Sequence, residues 1–350
     1  MGQSRFNRRT FTKGSAGAAF VLGAPAILGS TARAAQELVF VGFGGAYQEG
    51  QTKALFEPFE RETGIKIVQT TGVELAKLRA QVQSKNVEWD LICLPDRLRP
   101  TAAQDGLLEK LDYGRLDKSD ILPETVTEFC VGAITLAMQI TYNSQMFAAG
   151  TAPVTWADVW NTQKFAGRRG MYSAVTYTLE FALLADGVPK DKLYPLDIPR
   201  AFKSLEKFKK DAVWWTQFPQ VGQMLLSKEI STSPWTRAPG LIIEGQPFGI
   251  SFDGAAITYE GWVIPKGSKN YDAAMKFIAF ALQPQRQADL TKYIAFGPTN
   301  KKALPLVDPK VTAVLASTPE NFKQGFLFSG DYWGSNLTKV TEQFNEWRLK

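Results

Sequence analysis

The stretch from Leu38 to Leu94 constrains the fold more than any other part of the chain. Leu38-Val39-Phe40-Val41-Gly42-Phe43 reads as a short buried strand running into Gly44-Gly45. A helix is expected over about 47–63, because Leu55, Phe56 and Phe59 recur at helical spacing and Gly64 stands where a helix stops. Ile65-Lys66-Ile67-Val68 is a second strand, 74–84 a second helix, and Asp90-Leu91-Ile92-Cys93-Leu94 a third strand closed by Pro95. Crossovers between such strands are right-handed, so the pattern predicts a parallel α/β sheet.

The rhythm then breaks. Residues 129–142 form a long apolar, β-rich run ending at Asn143, too long for one compact strand and suited to crossing from one lobe to another. Helices are expected at 154–161, 178–185, 200–210 and 271–282, and short strands at 170–173 and 262–265. From Pro319 to the end the pattern is helical, with an aromatic face of Phe322, Phe326, Phe328, Trp333, Phe344 and Trp347.

Residues 1–34 read as an export signal. Arg8-Arg9-Thr10-Phe11 precedes an uncharged Ala- and Gly-rich stretch that ends at Ala32-Arg33-Ala34, a small-x-small cleavage pattern. The twin arginine implies export of an already folded protein to the periplasm. Five of the 40 basic residues lie in this segment, which holds no acid, so 35 remain against 34 Asp and Glu. The high pI therefore gives no reason to expect a nucleic-acid or membrane-surface partner. No cysteine stands directly after the cut to carry a lipid, so a freely soluble form is expected.

The chain contains no histidine. Ser-His-Asp triads, Cys-His dyads and His-based zinc sites are excluded together. Cys93 and Cys130 form no CxxC and sit in apolar runs; a disulfide and plain core burial both remain open.

Several short runs together resemble the periplasmic substrate-binding proteins of ABC importers, in the branch that includes the spermidine/putrescine receptors. They are Gly44-Gly45-Ala46-Tyr47-Gln48, Phe59-Glu60-Arg61-Glu62-Thr63-Gly64-Ile65-Lys66, Tyr142-Asn143, Thr155-Trp156-Ala157-Asp158-Val159-Trp160, Lys164-Phe165-Ala166-Gly167-Arg168-Arg169, Val263-Ile264-Pro265-Lys266-Gly267 and Gly297-Pro298-Thr299-Asn300. The resemblance covers essentially all of the chain after the signal. It implies a periplasmic-binding-protein type II fold, an α/β fold of two lobes joined by a two-strand hinge, with the ligand in the cleft between them. Lobe 1 would take 36–141 plus 262–299 and lobe 2 would take 142–261 plus 300–350. It also implies an inner-membrane ABC permease as partner, a monomer, no cofactor and no resident metal.

The resemblance nominates the site residues. Phe43 ends the first strand, where open α/β sheets bind ligands; the family often has Trp there. Tyr47 could offer a hydroxyl, although helix packing explains it as well. Trp235 matches a cleft-wall tryptophan and follows what reads as a polar loop, Ser231-Thr232-Ser233-Pro234. Glu260 falls where the polyamine receptors place an amine-binding Asp, with Tyr259 beside it. Asp96 and Arg97 are cleft-edge candidates, and Gln223 is a remote one. Trp214-Trp215 reads as core. Three departures stand against a dication. Arg237 replaces a small residue and would clamp a carboxylate. The segment Ser173-Ala174-Val175-Thr176-Tyr177-Thr178 lacks the acids that meet the distal amine. Phe296 is often Tyr in the family. The expected ligand is thus a small amine-bearing metabolite, a putrescine- or spermidine-like polyamine or an ω-amino acid such as GABA held by Arg237 and Glu260. A ferric-ion receptor and a secreted enzyme with a cysteine nucleophile are the further alternatives.

Overall fold

The computed structural model describes residues 36–349, so the export signal lies outside the described residues. Nine strands among them form one sheet: β1 (Glu37–Gly42), β2 (Lys66–Thr71), β3 (Leu91–Pro95), β4 (Val131–Asn143), β5 (Arg169–Tyr172), β6 (Ala212–Trp215), β7 (Thr232–Trp235), β8 (Phe248–Val263) and β9 (Phe326–Leu327). Their order is β2-β1-β3-β8-β4-β7-β5-β6, with β9 on β8. β1 lies parallel to β2 and β3, and β5 lies parallel to β6 and β7. β4 and β8, at the centre, run antiparallel to each other and to their outer neighbours.

The first half follows the expected rhythm closely. A continuous helical stretch passes through Gly45–Gln51, a π turn at Thr52–Phe56 and Glu57–Thr63. Gly64 ends it at φ 71°, its N–H donating to the Glu60 carbonyl, a left-handed cap that glycine adopts without strain. The apolar face of this helix meets Tyr271–Ala281: Phe277 packs against Phe56, Phe59 and Trp262 with ring centres 5.6, 5.2 and 5.3 Å away.

Two main hydrophobic cores result. The first gathers Leu38, Phe40, Phe56, Phe59, Leu91, Val131, Ile134, Trp262 and Phe277. The second gathers Met138, Ile140, Trp156, Phe181, Trp215, Trp235, Phe248, Trp333 and Phe344. The long strands feed both. β4 enters the first core through Ile134 and the second through Met138, and β8 enters the second through Ala256 and the first through Trp262. The run 129–142 is therefore one strand, and its length reflects service to two cores. Register shifts between Gly132 and Ile134 and between Met138 and Ile140 let it bend on the way.

Polar locks hold the connections, and several fall within the runs that carried the resemblance. Arg169 is fully buried without an acid; its Nε donates to the Val159 carbonyl at 3.0 Å, and its guanidinium also reaches the carbonyls of Asn161, Phe165 and Gly167. Gln287 Oε1 accepts from the backbone of Thr299 and of Asn300, both at 2.8 Å, while Thr299 Oγ1 donates to the Gly132 carbonyl. Thr155 and Asp158 form a reciprocal cap on Trp156–Trp160.

Three expectations need correction. Ser231-Thr232-Ser233-Pro234 is no polar loop: Thr232–Trp235 is the buried strand β7 between β4 and β5, and Ser233 Oγ accepts from Trp215 Nε1 at 2.9 Å. The strand expected at 262–265 is the tail of the 16-residue β8, whose Gly249, Gly254 and Gly261 interrupt the side-chain alternation. The C-terminal stretch divides into Pro319–Gln324, β9 and Gly330–Leu349, so Phe326 and Phe328 reach the second core outside any helix. The two cysteines are free and buried in different clusters, Cys93 in the first core and Cys130 in the one that holds Val41, Trp89 and Ile92.

Candidate ligand cleft

A cavity of about 470 Å³ opens where the strand ends of the first core face the second. Phe43, Tyr47, Asp96, Arg97, Tyr177, Arg237, Tyr259, Glu260 and Phe296 all line it. A wider chamber of about 830 Å³ adjoins it and shares Ala46, Thr236, Arg237, Ile294 and Phe296.

The strands account for these positions. Phe43 leaves the end of β1 and is 43% exposed, so it walls the opening and contributes little to the core. Tyr47 sits one turn into the helix that follows Gly44-Gly45; its ring meets Phe296 edge-on at 5.5 Å. Glu260 lies on β8 opposite Pro95 of β3. The Cys93 thiol donates to Glu260 Oε2 at 3.4 Å, and the Tyr47 hydroxyl lies 3.5 Å from the same sulfur. Loss of hydration at Glu260 outweighs these hydrogen bonds and the nearby charge of Arg97, pushing its carboxyl up to about 7. Glu260 thus stands on the edge of ionisation, and a cationic ligand would favour its charged form.

Asp96 is engaged elsewhere. It is buried, ion-paired with Arg99 and faced by Thr258 Oγ1 at 3.5 Å. Burial raises its carboxyl while Arg99 pulls it back. Arg99 lies over the Tyr259 ring at 4.0 Å, so Tyr259 is shared between the cleft and the structure behind it. Arg97 and Arg237 are exposed and make no ion pair among the described residues. Arg97 leaves the turn after β3, and Arg237 stands just before the helix Ala238–Ile243 that follows β7.

Tyr177 adopts φ 68° and ψ −44°, a conformation costly for a residue with a side chain. Its ring packs on Phe328 at 4.7 Å, which holds the kink.

Three candidates fall outside this cavity. Trp235 is 2% exposed; its Nε1 donates to the Phe218 carbonyl at 2.8 Å, and a Cβ on Gly222 would come within 2.7 Å of its ring. It is a core residue of the second half and touches only the wider chamber, as does Gln223. Ser173 donates its N–H to Trp215 and does not line the cavity. Trp214 and Trp215 lie in the second core, as their apolar context indicates. Phe218, Leu136, Met138 and Thr258 line the cavity without having been nominated. Phe218 was findable: it follows the end of β6, and the strand-end rule that selected Phe43 applies equally there.

Burial raises both thiols above their ordinary range, Cys93 with help from Glu260, the opposite of an activated nucleophile. It also raises the phenols of Tyr47, Tyr177 and Tyr259, against ferric phenolate ligation.

The family profile described as bacterial extracellular solute-binding protein matches residues 54–322. The chain belongs to that family. It is a solute-binding receptor of an ABC transporter, of the mixed α/β fold shared by periplasmic solute-binding proteins. It is 35% identical over 327 residues to the gamma-aminobutyric acid-binding protein of Pseudomonas aeruginosa, covering 90% of this chain and 92% of that one. The solved structure of the Atu4243 GABA receptor superposes with a TM-score of 0.83 at 35% identity, covering 90% of this chain and 98% of the other. The spermidine/putrescine-binding periplasmic protein of Salmonella typhimurium is more distant, 22% identical over 85% of this chain and 87% of its own.

Proposed function

We propose that this receptor binds an ω-amino acid of the GABA type in the 470 Å³ cavity, its amine at Glu260 and its carboxylate at Arg237. The observation that carries this reading is that a single uncompensated carboxylate and an unpaired arginine, from β8 and from the end of β7, line one cavity. Phe43, Phe218 and Tyr177 supply aromatic walls for the aliphatic linker and the amine. The 35% identity to a GABA-binding protein supports the same choice.

The polyamine reading is the competitor. It puts two ammonium groups into a cavity with Arg97 and Arg237 and no acid along 173–178. Like charges at this range disfavour that ligand.

The hinge falls within β4 between Ile134 and Met138, and within β8 between Ala256 and Trp262, where each strand passes from one core to the other. We take the lobes as 36–141 plus 262–299 and 142–261 plus 300–350, with two local exceptions: Met138 and Ile140 of β4 already pack in the second core, and Ala303, Val307 and Leu315 pack with Ala288 and Ala295 of the first lobe. A ligand held by residues of both lobes favours the closed state. The receptor acts in the periplasm as a monomer after twin-arginine export and delivers its ligand to an inner-membrane permease, without enzymatic turnover.

A thermal-shift panel of GABA, putrescine and spermidine tests the choice. GABA alone should raise the melting temperature, by mass action. A shift with the polyamines and none with GABA reverses the assignment.

A further inference from the structure

The charges that face the cavity do not balance for a ligand with one amine and one carboxylate. Arg97 enters from the β3 side and Arg237 from the β7 side, so two cations stand on different walls. Both are exposed, and neither has an ion-pair partner among the described residues. Of the carboxylates in the lining, Asp96 is consumed by Arg99, leaving Glu260 alone. One amine at Glu260 and one carboxylate at Arg237 leave Arg97 unmatched.

Resting on the GABA-type reading of the same cavity, we infer that Arg97 forms a second anion subsite with Tyr177, and that the preferred ligand is an amino acid bearing two acidic groups around one amine. Tyr177 is the natural companion. It faces the cavity from the second half, and its backbone is held in a strained conformation that the ring contact with Phe328 maintains. The charge of Arg97 lowers the Tyr177 phenol against the effect of burial and favours ionised Glu260, so the guanidinium lies within electrostatic reach of both. An anion there would find a planar fork from one side and a hydroxyl from the other, the donor set that suits a carboxylate. It would also neutralise the one unmatched charge in the closed cleft, where hydration is lost. The adjoining 830 Å³ chamber leaves room for a branch beyond a linear amino acid.

The test is isothermal titration of the exported, full-length mature protein with two probes, GABA and N-(2-carboxyethyl)-GABA, which adds a second carboxylate on the same amine. The second probe should bind wild type at least about tenfold more tightly, the order of one charge-assisted contact. Arg97→Gln should erase that difference, the two probes then binding within about twofold of each other, the sign of a lost contact specific to the second probe. Arg237→Gln should weaken both probes. Arg97 is exposed, so an unchanged melting temperature verifies the fold of the variant. Two results overturn the second subsite while keeping the receptor reading: equal affinities in wild type, or Arg97→Gln weakening GABA as much as the diacid. Failure of wild type to bind either probe overturns both.

Discussion

Cys93 donates its thiol hydrogen to Oε2 of Glu260 across 3.4 Å. A weak donor thereby supports the one free carboxylate of the cleft from the buried side, with Tyr47 behind the sulfur. Because the Glu260 carboxyl is pushed up to about 7, amine affinity of the wild type should fall as pH drops from 8 to 6 and the carboxylate protonates. Cys93→Ala removes a contact that favours the charged form, so its decline should begin at higher pH. Titrations across that range check both; coincident profiles would show that the thiol does not tune Glu260.

Glu260→Gln keeps the shape and removes the charge. Affinity for GABA should fall by more than about tenfold at pH 8, the cost of losing one charged hydrogen-bond partner. The pH dependence described above should vanish with it. Titration calorimetry measures the affinity, and an unchanged Kd removes Glu260 from the site.

Trp235 separates stability from binding. Its ring is enclosed by Gly222 and Phe248 and its N–H is satisfied by Phe218. Trp235→Ala should cost roughly 3–5 kcal/mol in urea unfolding, the range for emptying an aromatic core site. The ligand affinity of the folded fraction should change by less than about threefold, since the ring does not enter the smaller cavity. A large affinity loss with intact stability would restore the tryptophan as a cleft wall.

Glu180 is fully buried with no cation beside it. Its Oε1 accepts from Trp333 Nε1 at 2.7 Å and Tyr194 Oη at 2.8 Å, and its Oε2 has no partner. Desolvation raises its carboxyl from 4.5 to about 7. Between those values the folded state holds a proton that the unfolded state releases, so stability should fall as pH rises from 4.5 to 7 and level off above. Glu180→Gln should remove this contribution and gain about 2 kcal/mol over wild type at pH 8. Thermal unfolding at pH 5 and pH 8 tests it; equal pH dependence in both proteins rejects it.

The first half of the fold was legible because β1, β2 and β3 are short, apolar and separated by helices with clear stops such as Gly64. β7 was not, because its residues are Thr, Ser, Pro and Trp, and its burial comes from strands distant in sequence. The same cause misplaced Trp235: the polar run before it reads as a loop until β4 and β5 close around it. That Phe43, Glu260 and Arg237 line one cavity was readable from strand ends and from departures within a resemblance. The engagement of Asp96 by Arg99 was not, since a carboxylate and its partner three residues on look like any surface pair until both are seen buried.

β4 and β8 pass between the cores hydrogen-bonded to each other, with Thr135 opposite Tyr259 and Ala137 opposite Ile257 at the crossing. Two tethers that were separate could twist independently and let the lobes swivel. A paired ribbon resists shear between its strands and yields most easily by flexing across its face, like a leaf spring. Glu260 rides on that ribbon next to Tyr259, so on the proposed hinge and amine site a ligand held at its carboxylate would sit on the element that flexes.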